Sequence, residues 1–105
     1  MNHRTDQDMK QIVDTDKLIH EPARVAIMAL LNVAESADFV FLMNHTGLTQ
    51  GNLSSHLSKL EAASYIDIEK SFVKKRPKTI IRMSTKGKEA FTLYLKTMKE
   101  FYQGL

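Results

Sequence analysis

The chain has 105 residues, of which 43% are hydrophobic, and this is enough for one domain with its own core. It has no cysteine, which excludes disulfides and thiolate metal ligands, and no apolar run near the ~20 residues of a membrane span. The net charge is +3, but residues 1–48 carry four basic and seven acidic side chains, whereas residues 49–105 carry eleven and five. This asymmetry favours a polyanionic partner, although a solvated basic surface would have the same composition.

The first fifteen residues are a polar lead-in. Met9, Ile12 and Val13 have roughly helical spacing, so a short helix is expected, and this segment could join a subunit interface. The charged start is unlike a signal peptide, and the lack of cysteine fits a cytoplasmic protein.

A core helix is predicted next. Glu21 and Pro22 mark its start, because proline in the first turn of a helix loses no hydrogen bond. Residues 22–34 are apolar on most sides, as in a helix that is buried nearly all round. Residues 36–38 break the pattern, and a one-residue strand pairing could form near Phe39.

Two further helices with a short turn between them are predicted. Residues 39–43 fit a helix of about two turns that ends at Gly47, since glycine adopts the left-handed conformation common after helices. Thr49 is a suitable N-cap for the next helix, residues 50–63. A turn of about three residues that contains glycine is typical of a helix-turn-helix.

The second of these helices is amphipathic. Leu53, Leu57 and Leu60 recur at helical spacing, which predicts a buried stripe. The opposite face is polar, and side chains of this kind can hydrogen-bond to base edges in the major groove of DNA. The alternative is that they only keep an exposed face hydrated. The predicted DNA-binding residues of this helix are Thr49, Gln50, Gly51, Asn52, Ser54, Ser55, His56 and Lys59.

A basic β-hairpin, or wing, follows. Residues 65–72 and 79–83 are predicted strands, and the segment 73–78 between them contains Pro77, which permits a loop and excludes a central strand. Residues 69–88 hold eight basic side chains and one acidic one. Such a tip suits phosphates or a narrow minor groove, the alternative being a solvated hairpin. The predicted DNA-binding residues of the wing are Lys74, Lys75, Arg76 and Lys78.

A long amphipathic helix ends the sequence. Ser84 or Thr85 is its predicted N-cap, and apolar residues then recur every three or four positions up to Leu105. This stripe is longer than a compact core can cover, so part of it is expected to pack against a second subunit. The predicted homodimer interface comprises Ile12, Leu18, Ile19, Phe91, Tyr94, Leu95, Met98, Phe101 and Tyr102. The predicted units are a lead-in (1–15), a DNA-binding domain (16–88) and a dimerisation helix (89–105).

Six segments of the sequence match a known family in order and residue type. They are 19–24, 46–54, 56–57, 59–61, 74–79 and 84–87. Together they resemble the small winged-helix transcriptional regulators of the MarR/ArsR type, in a compact form without the long helical dimer domain of full MarR proteins. The sequence departs from this family at Ser64, where glycine is usual, and it lacks the metal-binding cysteines of the ArsR type.

The resemblance implies a mainly α fold with a small β-hairpin. A winged helix-turn-helix domain of this type has a three-helical core, a wing and a C-terminal dimerisation helix. The implied function is that of a cytoplasmic, homodimeric regulator that binds double-stranded DNA at a pseudo-palindromic operator, most often as a repressor.

No pattern in the sequence indicates catalysis, a cofactor, a metal site or a membrane segment. The four histidines lack metal-ligand spacing, and no catalytic motif is present. A protein-interaction module is the main alternative function, but a docking face would more often be apolar. A small-molecule effector is compatible with the sequence without being indicated by it, and would bind at the dimer interface between the first and last helices. Whether Arg82 and Lys86 contact DNA is left open, since Arg82 could instead pair with an acidic side chain within the domain.

Overall fold

Helices dominate the fold, and a small sheet projects from them. The computed structural model describes residues 6–105, with side chains from residue 9 onward, so residues 1–5 of the predicted lead-in lie outside the described part. The elements are α1 (Asp6–Val13), α2 (Pro22–Ala34), β1 (Ser36–Asp38), α3 (Phe39–Thr46), α4 (Gln50–Ala62), β2 (Ile66–Val73), β3 (Arg76–Met83) and α5 (Thr85–Gln103). This is the predicted mainly α fold with a hairpin. No helix in this range is long and apolar enough to cross a membrane.

Helix α2 is the centre of the core. The Glu21 carboxylate caps its N-terminus by accepting hydrogen bonds from the N–H groups of Ala23 and Arg24, at 3.2 and 3.0 Å. Val33 is 85% exposed, so burial is less complete at the end of this helix than the sequence predicted. Each fully buried aliphatic side chain stabilises the fold by about 1.5–3 kcal/mol. The fully buried core residues are Ile19, Ile27, Met28, Leu31, Leu42, Leu53, Leu60, Ile66, Ile81 and Phe91.

The three strands form one antiparallel sheet in the order β1-β3-β2. Strands β2 and β3 pair along their whole length, from Ile66 opposite Met83 to Val73 opposite Arg76. Ile66 and Ile81 are buried, whereas residues 72–78 around the hairpin tip are all exposed. The outer half of the hairpin therefore projects from the core as a wing.

Strand β1 joins the sheet to the helix-turn-helix. It has three residues rather than the single pairing predicted near Phe39, and Asp38 lies opposite Ile80 of β3. The Asp38 carboxylate also caps α3 by accepting a hydrogen bond from the Phe41 N–H at 2.7 Å. One residue thus ends the strand and begins the helix.

Helix α5 packs directly against the chain that leads into β2. The Ser84 hydroxyl accepts a hydrogen bond from the Gly87 N–H at 2.9 Å and donates one to the Ser64 carbonyl at 2.5 Å. The Ser84 N–H donates to the Tyr65 carbonyl at 3.0 Å, and a Cβ on Gly87 would lie 2.0 Å from that oxygen. Ser64, where the sequence departs from the family it resembles, has a φ of +64°, in the left-handed region that a Cβ makes unfavourable. The predicted division between residues 88 and 89 falls inside α5.

Tyr65 connects this junction to the segment between α1 and α2. Its hydroxyl donates a hydrogen bond to Asp16 Oδ2 at 2.5 Å, while Asp16 Oδ1 accepts from the N–H groups of Leu18 and Ile19. The hydrogen bond to Asp16, together with burial, raises the pKa of Tyr65 to about 12. The phenol therefore stays protonated and keeps donating at any physiological pH.

Candidate nucleic-acid interface

The turn between α3 and α4 has the geometry of a helix-turn-helix. Gly47 ends α3 with a φ of 71°, and its N–H donates to the Met43 carbonyl at 3.0 Å. Thr49 caps α4, since its hydroxyl accepts a hydrogen bond from the Asn52 N–H at 3.2 Å. The predicted terminator and N-cap are both confirmed.

Helix α4 has one buried and one exposed face. Leu53, Leu57 and Leu60 are at most 3% exposed, as predicted, and the helix ends one residue before the predicted position. No atom lies within 4 Å of a Cβ built on Gly51, so the first turn is open to a ligand. The N–H groups of a helix N-terminus suit an anion. The exposed members of the predicted DNA-binding set are Thr49, Gln50, Gly51, Asn52, Ser54, Ser55 and Lys59.

His56 is the member of that set that is not freely exposed. Its side chain is 19% exposed, and its Nδ1 lies 3.0 Å from Arg24 Nη1 and 3.6 Å from Glu21 Oε2. The pKa of Glu21 is lowered: burial would raise it, but the N–H groups of Arg24 and Ala23, the charge of Arg24 and, whenever the ring is protonated, that of His56 outweigh burial. His56 is therefore held by residues at the start of α2.

The hairpin turn is shorter than the sequence predicted. Val73 pairs with Arg76, so that only Lys74 and Lys75 form the turn. Their φ values are 53° and 65°, both in the left-handed region. Two successive residues in this region form the type I′ turn, whose twist matches that of the strands. The two lysines thus occupy the outermost point of the wing.

The prediction of a loop over residues 73–78 is wrong because strand pairing continues almost to the tip. Pro77 lies in β3, opposite Phe72 of β2. Strand β1 pairs with β3 only over Ile80–Arg82, so β3 has one neighbour at Pro77 although it is the central strand further along. Proline, which lacks a backbone N–H, is tolerated there as it is in an edge strand, because β3 has no partner strand on one side at this position.

The uncompensated positive charge of the hairpin is concentrated at its tip. Lys78 Nζ lies 3.8 Å from Asp38 Oδ2, and Arg82 Nη1 lies 2.9 Å from Glu69 Oε2. Arg82 therefore has the acidic partner that the sequence left open. Exposed ion pairs like these contribute little stability. Among the described side chains, those of residues 9–105, no ion pair involves Lys74, Lys75 or Arg76.

A groove of about 1040 Å³ separates α4 from the wing. Amide and hydroxyl side chains face it from the helix, and cationic side chains face it from the hairpin. Asp38, paired with Lys78, and Glu61 also line it. The groove suits a sugar-phosphate strand that is contacted on both sides. Its main polar walls are Gln50, Ser54 and Ser58 on α4 and Lys70, Arg76 and Lys78 on the hairpin.

The predicted subunit contact divides into buried and exposed residues. Ile19, Phe91, Tyr94 and Met98 are at most 8% exposed and belong to the chain's own core. Leu95 and Tyr102 are 44% and 63% exposed and lie seven residues apart, on one face of α5. The half-buried members are Ile12, Leu18 and Phe101.

Sequence reasoning missed Arg24, which holds His56 from a position 32 residues earlier. The available signal was a charged residue in the first turn of an otherwise apolar helix, since a charge beside a core needs a partner. Among the described residues no group of three His, Asp or Glu side chains could hold a metal ion.

Comparisons with known proteins agree with this geometry. A family model described as a winged helix DNA-binding domain matches residues 23–102. An uncharacterised protein of Methanocaldococcus jannaschii is 42% identical over 79 residues, which are 75% of this chain and 86% of that protein. A transcriptional regulator homologue from Pyrococcus horikoshii superposes with a TM-score of 0.85 at 28% identity, over 93% of this chain and 96% of that one. A MarR-family regulator from Silicibacter pomeroyi shares the fold, with a TM-score of 0.65 at 15% identity over 90% of this chain and 63% of that one.

Proposed function

This chain belongs to the winged helix DNA-binding domain family, and from that premise we propose that it is a sequence-specific transcriptional regulator that acts as a homodimer. The observation that carries the proposal is the exposed polar face of α4 beside the unpaired charge of Lys74, Lys75 and Arg76. Repression is its simplest mode of action, because occupying a promoter is enough to exclude polymerase.

Helix α4 lies in the major groove of a half-site. Gln50 and Asn52, in its first turn, are the amide side chains that can pair with adenine, a contact that discriminates between bases by about 1–3 kcal/mol. The N–H groups at the start of α4 face a phosphate, which sets the position of the helix without reading sequence. The adjacent DNA strand passes through the groove between α4 and the wing, and the wing tip reaches the next minor groove.

A second copy of the chain packs on the exposed apolar residues of α5 and α1. Leu95 and Tyr102 supply one face of α5, and Met9 and Val13, 42% and 66% exposed, supply α1. Two-fold symmetry then places two α4 helices about 34–36 Å apart, so the operator is a pseudo-palindrome with half-sites one turn apart.

The dimer is tested separately from DNA binding, by sedimentation. We expect Leu95→Glu to shift the protein to monomer, because a charge would be buried against the partner. The matched control is Val33→Glu, at an 85% exposed position of α2 outside the contact, which should leave the dimer intact. A monomeric wild type at micromolar concentration would contradict this part of the proposal.

A small-molecule effector has a place to bind between α1 and α5. A cleft of about 390 Å³ there is lined by Asp16, Tyr65, Leu93 and Tyr94, a volume within the range of ligand sites. Burial, and to a lesser degree the nearby Tyr102, raises the pKa of Tyr94, so its hydroxyl, which lies 2.8 Å from His20 Nδ1, stays uncharged at neutral pH. Compounds that raise the melting temperature and change DNA affinity together would identify the effector, and a screen without any shift removes it from the proposal.

The first experiment is titration of the protein onto labelled duplex from its own upstream region, at several salt concentrations, with random duplex as competitor. A sequence-specific regulator should stay bound to the labelled duplex when random duplex is added, and its affinity should fall steeply as the salt concentration rises. Lys75→Ala should weaken binding to all sequences and flatten the salt dependence, whereas Lys99→Ala, an equal charge change on α5, should not. No binding even at low salt would instead favour a protein-interaction module.

A further inference from the structure

The contact between Arg24 and His56 fixes where the proton of the imidazole lies. Arg24 Nη1 is 3.0 Å from His56 Nδ1. A guanidinium carries only donors and does not deprotonate in proteins, so this contact is a hydrogen bond only if Nδ1 supplies a lone pair. The proton of the neutral ring is then on Nε2. Among the side chains that the structure describes, residues 9–105, none pairs with Nε2, which leaves that N–H available.

Arg24 is itself held in place. Its Nε donates to the Leu18 carbonyl oxygen, its side chain is 11% exposed, and Nη1 lies 3.8 Å from Glu21 Oε2. Glu21 is fixed in turn by accepting the first N–H groups of α2, and its lowered pKa keeps it charged. The Arg24 side chain is therefore held in place by these contacts where its guanidinium meets His56.

His56 lies at the border of the DNA-facing surface of α4. Asn52 and Lys59, one turn before and one turn after it, are exposed, and about a fifth of the His56 side chain is exposed with them. Because Arg24 contacts the ring at Nδ1 on the protein side, the other ring nitrogen, Nε2, remains for a partner outside the protein.

We propose that Arg24 is a positioning residue that makes His56 present Nε2–H as a fixed hydrogen-bond donor to DNA. The inference rests on the function proposed above. A donor at this position fits the N7 and O6 acceptors of guanine, N7 of adenine, O4 of thymine or a phosphate oxygen, and is mismatched to the amino group of cytosine. In this arrangement His56 favours DNA sites that present a hydrogen-bond acceptor, and Arg24 sets that preference without itself contacting the DNA.

The proton position is tested without DNA, by long-range ¹H–¹⁵N NMR of the histidine rings at a pH where they are neutral. We expect Nε2 of His56 to be protonated and Nδ1 to be bare. His45 is an internal control of the opposite kind, because its Nδ1 lies 3.0 Å from the Phe41 carbonyl oxygen and must donate to it. Arg24→Met should give His56 a mixture of both forms and leave His45 unchanged, and Arg24→Lys, which keeps a donor, should restore the wild-type pattern. A protonated Nδ1 on His56 in the wild type would overturn the proposal.

The role in recognition is tested with single-base changes across the bound duplex. His56→Gln places an amide nitrogen as many bonds from Cα as Nε2, so we expect it to keep the wild-type preference. His56→Asn reaches only the Nδ1 position, and both this variant and Arg24→Met should lose about tenfold discrimination at the same base pair or phosphate. The double variant should lose no more than either single variant, because both changes remove one contact. An unchanged preference in folded Arg24→Met, confirmed by its melting curve, would refute the positioning role. If the wild type binds no duplex, the proposed function fails while the NMR result stands.

Discussion

Replacing the two lysines of the wing turn should make the protein more stable and a weaker DNA binder at the same time. Lys74 and Lys75 both have positive φ, which a Cβ makes unfavourable. Asparagine followed by glycine is the pair that a type I′ turn prefers. The variant Lys74→Asn/Lys75→Gly therefore removes strain and two charges together, and the two consequences have opposite signs.

The size of both effects follows from the turn geometry. Relief of the left-handed strain contributes about 1 kcal/mol per residue, and the extra freedom of glycine in the unfolded chain offsets about 0.5–1 kcal/mol. The net gain of about 1 kcal/mol corresponds to a melting temperature higher by about 4–8 °C. Each lost phosphate contact lowers the slope of log affinity against log salt by about 0.9, so the slope falls by about 1.8 for one bound chain and about 3.6 for a dimer.

The assay is thermal unfolding at fixed protein concentration, alongside fluorescence anisotropy with labelled duplex over a range of salt. The matched control, Lys74→Gln/Lys75→Gln, removes the same charges and keeps the strain, so it should bind as weakly as the first variant without being stabilised. Wild-type affinity and salt slope in the Asn-Gly variant would refute the contact between the wing and DNA. Equal stability of the two variants would refute the argument from strain.

Three further predictions concern the scaffold and the first turn of α4. Gly87→Ala should destabilise the fold by about 1–3 kcal/mol, since its Cβ would lie 2.0 Å from the Tyr65 carbonyl oxygen and break the hydrogen bond there; an unchanged melting temperature would contradict this. Gly51→Ala, which meets no atom within 4 Å, should leave the protein as stable or slightly more stable and weaken duplex binding; unchanged affinity would mean that DNA does not approach this turn closely. Tyr65→Phe should cost about 1.5–3 kcal/mol at neutral pH by removing a hydrogen bond to a carboxylate. Because the pKa of Tyr65 is raised to about 12, its stabilising effect is complete below pH 10 and disappears as the pH rises to 12, so denaturant titrations of Tyr65→Phe and wild type should converge over that range.

The features predicted correctly from sequence are those that local chemistry determines. Gly47 ends a helix because of its own backbone freedom, and Thr49 caps one through an N–H three residues away. The leucine stripe of α4 needs only helical spacing and a core to face. None of these depends on a distant segment, so the order of elements and the polar face of α4 could be predicted.

The features that sequence could not provide depend on tertiary packing. The turn length at Lys74 and Lys75 follows from how far β2 and β3 stay paired, and Pro77 in a strand is acceptable only because β1 is short. The burial of His56 depends on Arg24, which arrives from another helix. In α5, a residue such as Phe91 that packs in the chain's own core has the same spacing as one that packs on a partner, so periodicity cannot separate the two roles.

Asp38 has a consequence for how a target site can vary. Its backbone pairs with Ile80 of β3 and its carboxylate caps α3, so strand pairing and the helix cap together connect the helix-turn-helix to the wing through one residue. If α4 and the wing bind one half-site as proposed, the distance between the bases that contact α4 and those that contact the wing is set by the protein, and an inserted base pair would remove one of the two contacts. In the proposed dimer, the spacing between the two half-sites depends instead on how the two chains pack against each other. In that dimer, a regulatory signal would act at the contact between the chains, by changing the angle between the two winged-helix domains rather than the shape of either.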